Sequence, residues 1–289
     1  MARQSIIACG LLESTKQSIE DYAEALRNAA PNIGEYGLYE QEFWDSGLFR
    51  SAIEKLRGSQ AAAMAEKRRF VDDALDYLQA TGRIREWRFS GAGERHDYEV
   101  RTADGRLCVI ETKGCLDGNN TNIYERPNNA DEFVIWSLCQ NPGSDPAHNA
   151  WSGIHTRLSA EIIHRRQKVD ALIIWDMLCG TRGRPCPKLV VDPSRATLIG
   201  KRLVPPPCIY LFPRTIPDAR NNPAPPCHEL AELGFAQALH SAFGGDDNDV
   251  VEVGIQVRMD GPEVERKTRY RRAGVIIAES NWTKVRRAR

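Results

Sequence analysis

The sequence predicts an α/β protein: a mixed central sheet flanked by helices, with helical additions before it and β-rich additions after it. Three observations carry this. Residues 59–81 hold Ala63, Phe70, Val71, Ala74, Leu75 and Leu78 on one helical face, and Gly82 supplies a stop. "REWRFSG" (85–91), "HDYEVRT" (96–102) and "RLCVIETKG" (106–114) then read as strands, the last two joined at the tight-turn signal Ala103-Asp104-Gly105. "VDALIIWDML" (169–178) is the near-continuous apolar run expected of a strand covered on both faces.

The remaining elements follow in order. Residues 14–57 read as two or three helices broken near Pro31. Residues 114–151 are rich in Asn, Asp, Gly and Pro, and a stretch of that length inside a domain is usually functional or mobile. Within it "EFVIWSLC" (132–139) is a short buried element. "SGIHTRLSAEIIHRRQ" (152–167) sets Ile154, Leu158 and Ile162 at helical spacing. "PPPCIYLFP" (205–213) is a further candidate strand in a Pro-rich region, and "HELAELGFAQALHSAF" (228–243) a helix. A last hairpin pairs "DVVEVGIQVRM" with "EVERKTRYRRAGVIIAE" across Asp260-Gly261-Pro262. The expected organisation is one elaborated domain: N-terminal helices over 1–58, a core over about 59–192, and additions over 193–289.

Composition narrows the class. Hydrophobic residues make up 42% and charged ones 27% of 289 residues, ordinary for a globular chain. The longest apolar stretch, Ala171 to Trp175, is too short to cross a bilayer, so no membrane partner is expected. The start, "MARQSIIACGLLESTKQ", is not expected to be a secretory signal. Eight cysteines contain no CxxC pair, which fits neither a zinc ribbon nor a disulfide scaffold and suits a reducing cytoplasm. Net charge is zero, yet basic residues cluster at 66–69, 164–168, 265–272 and 285–289. Such clusters are ordinarily solvated faces, but a local basic lining can bind a polyanion without a global field.

The chemistry concentrates at 97–113. Strand alternation puts Leu107, Val109, Glu111 and Lys113 on one face. A hairpin turning at Asp104-Gly105 brings Asp97 across from the Glu111–Lys113 end. Two carboxylates with the backbone carbonyl of Thr112 suit Mg²⁺, a hard cation that prefers oxygen ligands. Such a cation would compensate charges that are costly at the end of a buried strand. Lys113 would orient or deprotonate an attacking water.

Together these residues resemble the PD-(D/E)XK nuclease superfamily over about 60–178, and most of all a type II restriction endonuclease. The resemblance implies a restriction-endonuclease-like core with Asp97, Glu111 and Lys113 as the catalytic set. It implies Asp97, Glu111 and Thr112 as Mg²⁺ ligands, and Glu66 as an auxiliary helix carboxylate. The first acidic residue follows His96 where the family pattern has proline. Implied partners are double-stranded DNA and a second copy of the chain, with a 5′-phosphate product. Base-reading candidates lie on loops: Asn119, Asn120, Asn122 and Arg126, then Arg182 and Arg184, then Arg220 and Asn221. Alternatives are a repair or phage-defence nuclease without sequence specificity, and an inactive DNA-binding module on the same fold. A second acidic-x-Lys triplet, Glu265-Arg266-Lys267 with Asp249 upstream, lacks the apolar approach and the following helix and strand. Asp170 and Asp176 read as strand-end residues, and Cys227-His228 as a helix entry.

Overall fold

The computed structural model describes residues 42, 64–91, 96–113, 126–139, 155–177, 179–182 and 185–285. The helices expected over 1–58 fall outside the described residues apart from Glu42. Helix α1 (Met64–Ala80) buries the predicted face, Phe70, Val71, Ala74, Leu75 and Leu78, while the start expected over 59–63 falls outside the described residues. Burying the Phe, Val and Leu side chains contributes roughly 1.5–3 kcal/mol each. The helix ends in a Schellman motif, with Gly82 at φ 71°, its N–H on the Gln79 carbonyl and the Arg83 N–H on that of Leu78.

Strands β1 (Ile84–Phe89), β2 (Tyr98–Thr102) and β3 (Leu107–Lys113) form an antiparallel meander. The β2–β3 turn holds Gly105 at φ 89°, a conformation only glycine takes without strain. Asp104 accepts the Thr102 hydroxyl (2.5 Å) and the Arg106 guanidinium (2.6 Å) there. Strand β4 (Glu132–Cys139) pairs parallel with β3, and α2 (His155–Arg165) crosses over to β5 (Ala171–Asp176), parallel to β4. A parallel neighbour needs a crossover of a dozen or more residues, which gives the long polar stretch between Lys113 and Glu132 a topological reason to exist.

After β5 come a short helix α3 (Pro187–Val191), a small hairpin of β6 (Thr197–Ile199) and β7 (Arg202–Val204), and strand β8 (Cys208–Leu211). Helix α4 (Gly234–Ala242) precedes β9 (Val250–Asp260), β10 (Glu263–Arg272), β11 (Val275–Glu279) and β12 (Thr283–Lys284). The sheet order is β1-β2-β3-β4-β5-β8-β9-β10-β11, with β12 on β10. The C-terminal strands therefore extend the central sheet instead of forming a separate layer.

Side chains alternate between the two faces. Ile110, Val134, Trp136, Ile173 and Trp175 pack under α1 and α4, while Val109, Phe133, Ile135, Leu172 and Tyr210 pack with Ile162 of α2 on the other side. Trp175 organises the first face: it stacks on Trp136, meets Phe70 and Phe243 edge-on, and donates its Nε1–H to the Pro205 carbonyl at 2.9 Å. Among the described residues no helix is long and apolar enough to cross a membrane.

Two expected elements are broken. The helix expected over 228–243 splits into a 3-10 turn (Leu230–Glu232) and α4, because the buried Glu132 carboxylate accepts the N–H groups of Phe235 and Ala236 (2.9 and 3.1 Å) and fixes a new N-terminus there. The strand expected over 263–279 folds back at Ala273 (φ 44°) and Gly274 (φ 78°) into the β10–β11 hairpin. Helix α3 and the β6–β7 hairpin are further elements that the sequence pattern did not mark.

Candidate active site

The β2–β3 register pairs Tyr98 with Ile110, so Asp97 arrives beside the end of β3 as the hairpin geometry predicts. Its N–H donates to the Ile110 carbonyl at 3.0 Å. Its carboxylate Oδ2 accepts the Thr112 N–H at 2.7 Å and the Thr112 hydroxyl at 2.5 Å. In a hydrogen-bonded antiparallel pair both N–H and C=O of a residue face the partner strand. The Thr112 carbonyl thus lies on the Asp97 side of β3. Asp97 Oδ1 takes part in no hydrogen bond among the described residues.

Glu111 and Lys113 form an ion pair through Glu111 Oε1 and Lys113 Nζ. Glu111 is only 5% exposed. Burial pushes its carboxyl above the usual range, and the Asp97 charge pushes the same way against the opposing pull of Lys113. Oε2 makes no hydrogen bond among the described residues. His96 is also buried beside this group; its Nε2 meets Glu99 at 3.2 Å, and Nδ1 has no partner among the described residues.

Asp97, Thr112 and Lys113 open onto a cleft of about 460 Å³ whose far wall is the first turns of α1, with Lys67, Arg68 and Arg69. Glu111 is not on its wall and joins the site through Lys113. Phe89 at the end of β1 closes one side, with the Arg68 guanidinium 3.5 Å above its ring. Tyr98 donates its hydroxyl to Asp72 at 2.8 Å beneath. Sequence reasoning missed Phe89 and these cations; their one signal was the basic cluster at 66–69, indistinguishable in the chain from a solvated helix face.

Among the described residues no three His, Cys, Asp or Glu side chains gather as a metal cluster. The donors present, two carboxylates each with one oxygen uncommitted and a backbone carbonyl, are nevertheless the hard oxygens a Mg²⁺ ion takes when it keeps several waters. Burial disfavours the charged form of Glu111, and a cation at its free oxygen would offset that. The residues fit such a cation.

No protein-family model, curated protein or solved structure matches the chain. The chemistry therefore rests on the side chains themselves.

The other candidates scatter. Glu66 lies in the first turn of α1, the helix that walls the cleft. Arg182 is exposed and follows β5 at the same end of the sheet as Lys113. Arg126 is at the opposite end, about 20 Å away along a strand of this length, where it reaches Asp170 at 3.2 Å. Arg220 and Asn221 are at that far end too, exposed, their N–H groups both on Asp218 Oδ1 at 2.9 Å in an Asx turn. Asn119, Asn120, Asn122 and Arg184 lie outside the described residues.

Asp170 is a structural hub. It accepts the Phe133 N–H (2.7 Å) and meets His228 (3.0 Å), Arg126 and Lys168. Burial alone would raise its pKa, and these partners hold it below the usual range instead. The same contact gives His228 its place. The second triplet is consumed elsewhere: Glu265 binds Arg258, Lys267 binds Glu279, and Asp249 is buried against Lys188 and Arg195.

Proposed function

We propose that the chain is a Mg²⁺-dependent DNA endonuclease of the restriction type, on a restriction-endonuclease-like core. It hydrolyses phosphodiester bonds of double-stranded DNA at a short specific site, leaves 5′-phosphate ends, works as a homodimer, and acts in the cytoplasm. The observation that supports this reading best is the meeting of Asp97, Thr112, Glu111 and Lys113 at one strand end, opening onto a cleft walled by cations.

Asp97, Glu111 and the Thr112 carbonyl would hold the cation, which when bound lowers the pKa of a coordinated water and neutralises charge on the departing oxygen. The protein's own contribution is positional. Thr112 holds the Asp97 carboxylate in place through two hydrogen bonds. Glu111 draws Lys113 to the strand end, where the ammonium orients the attacking water and offsets charge developing on the phosphoryl oxygens. Lys67, Arg68 and Arg69 attract the polyanion to the cleft.

A cleft of about 460 Å³ is small for a duplex, and this favours a second reading, a nuclease that reads ends or structure. Incubation of plasmid and viral DNA with the protein and Mg²⁺ separates the readings. Discrete fragments support the restriction type, and a smear or end-dependent loss supports the second. A mobility shift without cleavage leaves only a DNA-binding module and refutes both.

A further inference from the structure

The cleft's lining carries more information than its acids. Most cations among the described residues are spoken for: Arg88 by Glu99, Arg106 by Asp104, Arg258 by Glu265, Lys267 by Glu279. Among the described residues the side chains of Lys67, Arg68 and Arg69 make neither ion pair nor hydrogen bond, although Asp72 and Asp97 share their cleft. Four cations there, these three and Lys113, face two carboxylates. Lys67 is partly buried as well, and burial pulls its ammonium pKa down.

Beside Thr112 and Tyr98, the rest of the described wall is apolar: Val71, Leu138 and the ring of Phe89. Phe89 packs against Tyr98 edge to face, ring centroids 5.3 Å apart. Among the described residues its own face carries only the exposed, otherwise unbonded Arg68 guanidinium. A flat ring face and a planar guanidinium beside unpaired cations match one ligand chemistry, a flat base joined to an anionic phosphate. The volume lies within the range that takes one small molecule, roughly 300–1,000 Å³. A base stacked inside a duplex cannot enter such a space.

We infer that the cleft holds a single unpaired nucleotide, its base against the Phe89–Arg68 stack and its phosphate on Lys67 and Arg69. The inference rests on the nuclease reading only for what happens to that phosphate next. The nucleotide can come from a strand end or by extrusion from a duplex, and both present the same chemistry.

Fluorescence anisotropy with the full chain in EDTA tests this without any cleavage. The probes are a duplex with a short overhang, the same duplex with an abasic overhang, a blunt duplex, and a blunt duplex with a central mismatch. The overhang duplex should bind about tenfold tighter than its abasic twin, within the roughly 1–3 kcal/mol that one base–aromatic stack contributes. Phe89→Ala should erase that ratio. Phe89→Leu, which keeps apolar packing and loses the ring, should erase it too. A mismatch duplex as tight as the overhang assigns the nucleotide to extrusion, and one no tighter than the blunt duplex assigns it to a strand end. Equal affinity for base and abasic overhangs, or a ratio surviving in Phe89→Leu, overturns the inference. Base-dependent, Phe89-sensitive binding without Mg²⁺-dependent cleavage would remove the nuclease reading and leave the nucleotide site. Cleavage with base-independent binding would do the reverse.

Discussion

Asp97 and Thr112 are latched together: one carboxylate oxygen of Asp97 takes both the backbone N–H and the hydroxyl of Thr112, at 2.7 and 2.5 Å. The latch lies between the start of β2 and the end of β3, so the site acid also closes the open end of the hairpin. Charge and structural role can be separated here, because an asparagine oxygen can accept the same two hydrogens.

Asp97→Asn should therefore leave stability within about 1 kcal/mol of wild type, while Asp97→Ala strands two donors and costs about 1–3 kcal/mol. Both should lower cleavage roughly 100-fold or more, the scale of losing one preorganised electrostatic group. Thermal melts beside single-turnover cleavage check this. Near-normal cleavage by Asp97→Asn would remove the carboxylate charge from the chemistry.

Lys113 is the only hydrogen-bonding partner of the Glu111 carboxylate among the described residues. Lys113→Ala should lose most turnover yet still bind DNA and Mg²⁺, and metal binding should strengthen, because a positive neighbour of the cation is gone. Lys113→Arg should not restore turnover, since a bulkier planar guanidinium directs its hydrogens differently from a compact ammonium. Calorimetric Mg²⁺ titration of both variants, paired with single-turnover rates, is the measurement. Wild-type cleavage by Lys113→Arg would reduce the lysine to a static charge.

Glu132 gives the fold a pH signature. Buried under the start of α4, its carboxyl is pushed up to about 7 by desolvation, against the pull of the two N–H groups it caps. In the unfolded chain it titrates near 4.5. Between those values the folded state binds more proton than the unfolded, so the penalty is complete above about pH 7 and fades as the pH falls. Melting temperature should rise from pH 8 to pH 6. Glu132→Ala should melt lower, for want of a cap, with that rise reduced. An unchanged slope in the variant would show that other groups carry the dependence.

Binding should be steeply salt-dependent although net charge is zero. The log of affinity should fall linearly with the log of salt concentration. Lys67→Ala and Arg69→Ala should each shallow the slope by about one, if each neutralises one phosphate. Affinity that is flat from low to physiological salt would exclude phosphate-dominated docking.

The part of the site made by one hairpin was legible in the sequence. Period-two alternation and a glycine turn are enough to put Asp97 beside Glu111, Thr112 and Lys113. What depends on contacts between distant segments was not. Nothing local to "EKRR" says that a cleft lies in front of it, or that Phe89, 21 positions after Arg68, comes to lie beneath its guanidinium. Nothing near Glu132 in the chain marks it as a cap; Phe235, 103 residues later, supplies one of the N–H groups it accepts. The fold-back at Ala273 was hidden because a non-glycine residue takes φ 44° there, and "RRAGV" leads straight into the apolar "VIIA" as a continuing strand would.

The Asp97–Thr112 latch spans only 15 positions of chain. Closing so short a loop takes tens to hundreds of nanoseconds and little entropy, and a hairpin forms in roughly 1–10 μs. The far half of the sheet depends on slower events: parallel β8–β9 pairing and the docking of α4 onto Glu132 across 103 positions. The acids and lysine of the site thus belong to the low-contact-order part of the molecule. Destabilising the C-terminal strands should speed global unfolding while leaving the hairpin's geometry largely written into its own 17 residues, Asp97 to Lys113.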